Sequence, residues 1–266
     1  MQEPVVDPLS FGWYDSLWLR RYFEAKAVIA RVAPGRLAEF NAAMQVFKTD
    51  PSYEVRYVSA FLDNAKRAAI KEAITAIPRE QLEFHELEKF GRLVVHDWPP
   101  FTALQAEITG LVSELAGERL EPCYNFLSLY SRRGVCETHL DTPSAKWTFD
   151  ICVDQSDPWP ISFTSIIDWP ETSDDLVDEW RAVKEGRADH AVHTLTLEPG
   201  DALLFSGASQ WHWRDPIPPA RGRTFCDLLF FHYIPEGTSE LVQPRNWAKL
   251  FNVPELAEIK GIELAV

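Results

Sequence analysis

Cysteine is scarce. The four residues Cys123, Cys136, Cys152 and Cys226 include no CxxC pair. That usage argues against a disulfide framework and reads as reduced thiols of a cytoplasmic protein. Basic residues are outnumbered, with 26 Lys and Arg against 40 Asp and Glu, for a net charge of −14. A chain so acidic repels a phosphate backbone, so no nucleic-acid partner is expected. No apolar run approaches the length of a bilayer span, so no membrane partner is expected. The first residues lack a basic stretch followed by an apolar one, so no secretory signal is expected. Internal repeats, low-complexity tracts and flexible linkers are also missing.

Aromatic residues are abundant. Ten Trp and sixteen Phe point to an aromatic-lined interior or pocket, and 46% hydrophobic residues can fill a sizeable core. A length of 266 residues fits one large domain, or one with an extension. Residues 1–120 read as a mixed helical and strand extension packed on the core. Met1 to Ser16 is a polar lead-in, Lys26 to Val32 a strand, Arg36 to Phe47 a helix and Tyr53 to Leu62 β-like. Asn64 caps a helix ending at Pro78, which opens another helix through Phe90. Gly91 to His96 is a short strand, and Pro99-Pro100 opens a long amphipathic helix closed near Gly117.

From residue 121 the pattern changes to short strands joined by Gly and Pro turns. They cover Tyr124 to Arg132, Lys146 to Val153, Ile161 to Ile167, Thr194 to Leu197, Ala202 to Phe205 and Arg223 to Ile234. That argues for an α+β protein with a mainly β core, a sandwich or jelly roll, buttressed by the N-terminal helices. Residues 168–193 form an insertion, with Asp175 to Glu185 helical. It is a candidate lid or, equally, a solvated acidic surface helix.

The chemistry centres on His139-Leu140-Asp141. In an extended strand, residues two apart share a face, so His139 and Asp141 project together. A third ligand from another strand completes a two-His-one-carboxylate set suited to Fe(II) with open positions. His212 is the candidate, on a strand-like segment. Each residue also has a structural reading: a turn hydrogen bond for His139 and Asp141, and a packed histidine between Trp211 and Trp213 for His212. His190, His193 and His232 match no ligand position and read as structural or exposed; His85 and His96 lie outside the core.

Tyr130-Ser-Arg-Arg-Gly134, His139-Leu-Asp141, Trp147-Thr148, Pro199-Gly200-Asp201-Ala-Leu-Leu-Phe205, His212 and Gly222-Arg223 occur in this order. The region 124–235 resembles the double-stranded β-helix core of the Fe(II)- and 2-oxoglutarate-dependent dioxygenases, especially the prolyl-hydroxylase-like branch. The resemblance implies that His139, Asp141 and His212 hold Fe(II). It also implies that 2-oxoglutarate meets a basic residue at the start of the last core strand, and guanidinium suits a carboxylate. Arg223 is preferred because it opens the apolar strand, with Arg221 as the second choice. Tyr130 matches a position that hydrogen-bonds the same carboxylate in some relatives. The implied reaction uses O2 to hydroxylate an unactivated C–H bond of a small molecule, amino acid or peptide, releasing succinate and CO2. The carboxylate at Asp141 favours hydroxylation over halogenation. Two other readings of such a fold are a cupin-like metal-dependent isomerase or hydrolase, and a binding module with a vestigial site.

Overall fold

The computed structural model describes residues 11–14 and 16–262. The chain opens with helices α1 (Leu17–Val32) and α2 (Leu37–Met44), strand β1 (Arg56–Val58) and helix α3 (Asn64–Thr75). Next come β2 (Arg92–His96), α4 (Pro99–Ala116), β3 (Leu120–Ser131), β4 (Cys136–His139), β5 (Trp147–Gln155) and β6 (Ile161–Thr164). Helix α5 (Ser173–Lys184) precedes β7 (Val192–Leu195), β8 (Ala202–Ser206), β9 (His212–Arg214), β10 (Phe225–Pro235) and α6 (Trp247–Leu250). No helix among the described residues is long and apolar enough to cross a membrane.

The strands form two antiparallel sheets, one of six in the order β1-β8-β5-β10-β3-β2 and one of four in the order β4-β9-β6-β7. Their inner faces meet. Phe163 packs on Phe205 with ring centroids 4.9 Å apart, and Tyr130 on Trp159 at 4.8 Å. The outer face of the six-stranded sheet carries Leu127, Phe149, Ile151, Leu229 and Phe231, which pack with Phe101 and Val112 of α4 and Ile70 of α3. Coverage on both sides explains why β5 and β10 read as nearly continuous apolar runs. Helix α4 is bounded as its sequence predicts, by proline at its first positions and by Gly117 in the left-handed region at φ 74°.

Three sequence expectations are corrected. Lys26 to Val32 is not a strand but the second half of α1. Trp18, Leu19, Tyr22, Phe23, Ala25 and Ile29 form one buried helical face, so tertiary burial selects the 3.6-residue period over the local β preference of Val and Ile. Pro78 to Phe90 is not a helix: after a 3₁₀ turn at Arg79–Gln81, Glu83 exchanges backbone hydrogen bonds with Val94 at 2.9 and 3.2 Å. The cap of α3 is Asp63 rather than Asn64, its carboxylate accepting from the Lys66 amide at 2.8 Å. The lead-in lies largely outside the described residues.

Tryptophan is spent on structure. Trp18, Trp169 and Trp247 meet edge-to-face in the cluster that joins α1, α2, α5 and the C-terminal turns. Their indole N–H groups donate to the carbonyls of Val242, Ala208 and Leu241 at 2.6, 2.8 and 2.7 Å, so these three donors stay satisfied despite deep burial.

Between the sheets, Arg214 donates to Asp150 at 2.7 Å and to the Trp159 carbonyl, and both charged side chains are almost fully buried. Removing one partner strands a buried charge. Arg214→Met should therefore cost about 3–5 kcal/mol in urea unfolding, and the double variant with Asp150→Leu should recover most of it. A double-variant loss equal to the sum of the Arg214→Met and Asp150→Leu losses would show that the pair carries no coupling.

Candidate functional site

The turn after β4 and the start of β9 meet at one end of the space between the sheets. His139 and His212 are cross-strand partners, their rings 4.1 Å apart. Leu140 is fully buried in the helical cluster, while His139 and Asp141 line the cavity, as period-two alternation requires. The Asp141 amide donates to the Gly207 carbonyl at 2.9 Å, and its Oδ2 accepts from the Thr148 hydroxyl at 3.0 Å.

Both imidazoles are oriented by backbone. His139 Nδ1 donates to the Glu137 carbonyl at 2.7 Å, and His212 Nδ1 to the Gln210 carbonyl at 2.9 Å. This leaves both Nε2 atoms facing Asp141 Oδ1, at 3.5 and 3.7 Å. One ligand atom from each of the three residues lies within 4.8 Å of the others. Backbone-held imidazoles with converging Nε2 atoms and a hydrogen-bonded carboxylate are what a metal with nitrogen and oxygen ligands requires.

Charge fits the same reading. Burial alone would raise the Asp141 carboxyl, but His212 and His139 hold it well below the usual carboxylate range. Burial lowers His212 to about 3, so it presents a lone pair. Burial would also lower His139, yet Cys136 and Asp141 push it well above its ordinary value. The Asp141 carboxylate supplies negative charge where the three ligand atoms converge, and the His139 proton it favours is the charge a divalent cation would replace. A divalent cation fits this donor set.

Register lays out the rest of the cavity in rows on the inner face of the six-stranded sheet. The first row is Thr148, His232 and Tyr124; the second is Asp150, Phe230, Phe126 and His96. The third is Cys152, Leu228, Ser128 and Val94, and the fourth Cys226, Tyr130 and Arg92. The cluster of His139, Asp141 and His212 sits at the first row, through the Thr148–Asp141 bond. The guanidinium groups lining the cavity lie further in, at Arg92 and Arg214.

The two arginines singled out from the sequence are elsewhere. Arg221 and Arg223 are exposed and do not line the cavity. Parity gives the reason: Cys226, Leu228, Phe230 and His232 turn inward on β10, whereas Arg223 shares the opposite parity with Phe225 and Asp227. Its guanidinium lies 5.3 Å over the Phe225 ring. Tyr130 does line the cavity, 3% exposed. Its hydroxyl accepts from Arg92 Nη1 at 2.8 Å, and Arg92 also donates to Ser128 at 3.2 Å and to Glu86.

Arg92, Gly207 and His232 escaped sequence reasoning. The signal for Arg92 was its alternation with Val94 and His96 in a short strand, which puts two cationic types on one face. Gly207 admits the ligand: a Cβ there would lie 2.2 Å from Asp141 Oδ2 and 2.5 Å from the Ala145 carbonyl.

No family profile matches the sequence, and no curated protein matches it. Solved structures do match in fold. SnoN, described as a non-heme alpha-ketoglutarate-dependent epimerase from nogalamycin biosynthesis, superposes with a TM-score of 0.53 at 17% identity, covering 78% of this chain and 89% of its own. SnoK, a non-heme alpha-ketoglutarate-dependent carbocyclase from the same biosynthesis, gives 0.50 at 13% identity, covering 70% and 85%. HygX from Streptomyces hygroscopicus, solved with nickel and 2-oxoglutarate bound, gives 0.52 at 10% identity, covering 77% and 88%. The chain shares the fold of these proteins.

Gly207→Ala should push Asp141 out of position and weaken Fe(II) binding by roughly tenfold or more, measured by anaerobic calorimetry. Unchanged affinity would show that Asp141 is not a ligand.

A second expectation concerns acid. Burial lowers His232 from 6.5 to about 4, against an opposing pull from Asp141. Between these values the unfolded state binds a proton that the native state refuses, so stability falls as pH falls through that window. Relative to His232→Leu, the wild type should lose on the order of 3 kcal/mol from pH 6.5 to 4. Parallel unfolding profiles for the two proteins would contradict this.

Proposed function

We propose that this chain is an Fe(II)- and 2-oxoglutarate-dependent oxygenase that hydroxylates an unactivated C–H bond of a small molecule. The observation that carries the reading is the convergence of His139 Nε2, His212 Nε2 and the Asp141 carboxylate on one point at the mouth of a closed sheet pair. The strands from β3 onward alternate between the two sheets with one exception, β6 to β7, which supports reading the core as a double-stranded β-helix. Iron, when bound with 2-oxoglutarate, supplies the coupling of O2 reduction to C–H oxidation, with release of succinate and CO2.

The protein's own contribution is binding, orientation and exclusion of water. His139, Asp141 and His212 would hold the metal from one side and leave the cavity side for other ligands. Toward the fourth row, Tyr130 and Arg92 offer a carboxylate two donors. The Tyr130 oxygen accepts from Arg92, which leaves its own hydrogen unspent, and Arg92 Nη2 has no hydrogen-bond partner among the described residues. Burial pushes the Tyr130 pKa up, which keeps that hydrogen in place. Arg214 is a weaker candidate because Asp150 and the Trp159 carbonyl already occupy its Nη atoms. Arg92 with Tyr130 is therefore the proposed seat of the far carboxylate of 2-oxoglutarate, in place of Arg223 or Arg221. Phe126 beneath the guanidinium, 5.3 Å from it, keeps water from this end and strengthens the pairing.

Fe(II) and 2-oxoglutarate should bind under anaerobic conditions, and oxygen with a substrate should then yield succinate. His139→Ala and His212→Ala should abolish metal binding while the unfolding transition persists. Retained binding in either variant would remove the metal assignment.

Arg92→Gln should weaken 2-oxoglutarate by about 2–3 kcal/mol, roughly thirty- to a hundred-and-fiftyfold, in calorimetry on the iron-loaded protein. Arg223→Ala should leave it unchanged. The opposite ranking would return the carboxylate to the last strand.

A further inference from the structure

Outside the ligand set, His232 is a buried side chain that lines the cavity and keeps a polar atom unpartnered among the described residues. It is 3% exposed and lines the cavity in the same row as Thr148. The Thr148 hydroxyl has one hydrogen and two neighbours, Asp141 Oδ2 at 3.0 Å and His232 Nδ1 at 3.1 Å. Asp141 faces two imidazole Nε2 atoms as a carboxylate and only accepts. The hydroxyl hydrogen therefore goes to Asp141, and the Thr148 oxygen accepts from His232 Nδ1–H. That chain of donors fixes the tautomer, because His232 must carry its hydrogen on Nδ1 and a bare lone pair on Nε2. His232 Nε2 is buried and has no hydrogen-bond partner among the described residues.

The surroundings of that lone pair are aromatic. The Tyr124 and Phe126 rings lie 4.2 and 5.2 Å from the His232 ring, and Phe230 lies 4.9 Å from Phe126. The Phe126 and Phe230 rings carry no donor for an acceptor. We propose that His232 Nε2 accepts a hydrogen bond from a hydroxyl or amine on the substrate, whose ring lies against Phe230. The inference rests on the oxygenase reading for where the substrate lies, beside the metal at the first row and away from Arg92 at the fourth. Thr148 then serves both parties: the same hydroxyl that steadies Asp141 sets the polarity of the substrate contact. A site that needs a donor rejects an analogue without one, because the buried acceptor is left unpaired.

The test uses three ring probes of one size: cyclohexanol, cyclohexylamine and cyclohexanone. Nitrogen-15 NMR of the Zn(II)-loaded protein should show His232 as the Nδ1–H tautomer. Cyclohexanol or cyclohexylamine should shift the Nε2 resonance upfield, and whichever does so names the donor. Cyclohexanone, which only accepts, should bind at least roughly tenfold more weakly and leave Nε2 unmoved. His232→Phe and His232→Leu should each erase the preference. An Nε2–H tautomer, equal binding of cyclohexanone, or no binding of any probe overturns the proposal. Titrating 2-oxoglutarate into the same sample separates the two readings. Lost 2-oxoglutarate binding with the donor preference intact removes only the oxygenase reading, and the reverse result removes only this one.

Discussion

A sheet buried on both faces can satisfy a polar side chain only with another polar group. The six-stranded sheet is in that position, with α3 and α4 on its outer face and the four-stranded sheet opposite its inner face. Its inward polar residues are consequently all committed. Asp150 is tied to Arg214, Thr148 to Asp141 and His232, and Ser128 and Tyr130 to Arg92. Each commitment spends particular hydrogens and lone pairs. What is left over, the converging Nε2 atoms, the Tyr130 hydrogen and the His232 lone pair, is the chemical character of the cavity.

That accounting also divides the cavity by sign. The Arg92 guanidinium stands at the fourth row, where an anion would be welcome. The first two rows, beside His139, Asp141 and His212, carry aromatic rings and a neutral imidazole held uncharged by burial. A single scaffold thereby offers a charged ligand and an uncharged one separate places along one cavity. The fold neighbours SnoN and SnoK carry names of different reactions, an epimerase and a carbocyclase, which is in keeping with specificity residing in side chains on a shared frame.

Local periodicity was enough to read some of this and not the rest. His139 and Asp141 sit two apart, so their common face follows from the strand alone, and the bounds of α4 follow from Pro99 and Gly117. Arg92 could not be found that way. Its place in the cavity comes from β2 pairing with β3 in a register that puts it beside Tyr130, a non-local fact. Arg221 and Arg223 were attractive for their spacing after His212, but both lie exposed in the loop before β10, which enters the sheet only at Phe225. The helix at Lys26 to Val32 was hidden for a related reason: its β-branched residues follow a burial pattern decided by Trp169 and Trp247, far along the chain.

The position of β10 has a consequence for how the molecule is made. It is the last strand in sequence, yet it lies in the middle of the sheet, between β5 and β3. Until it arrives, β3 and β5 have no partner on their facing edges, and Phe101 and Val112 of α4 lack the Leu229 and Phe231 side chains of their cluster. Such long-range pairing makes for slow folding, since loop entropy is spent before contacts are gained. On the ribosome, the emerging chain would hold two exposed strand edges until residues 225–235 clear the exit tunnel, a state open to wrong pairing. The strand that closes this gap also carries His232, so the substrate side of the cavity is assembled in the same event that completes the sheet.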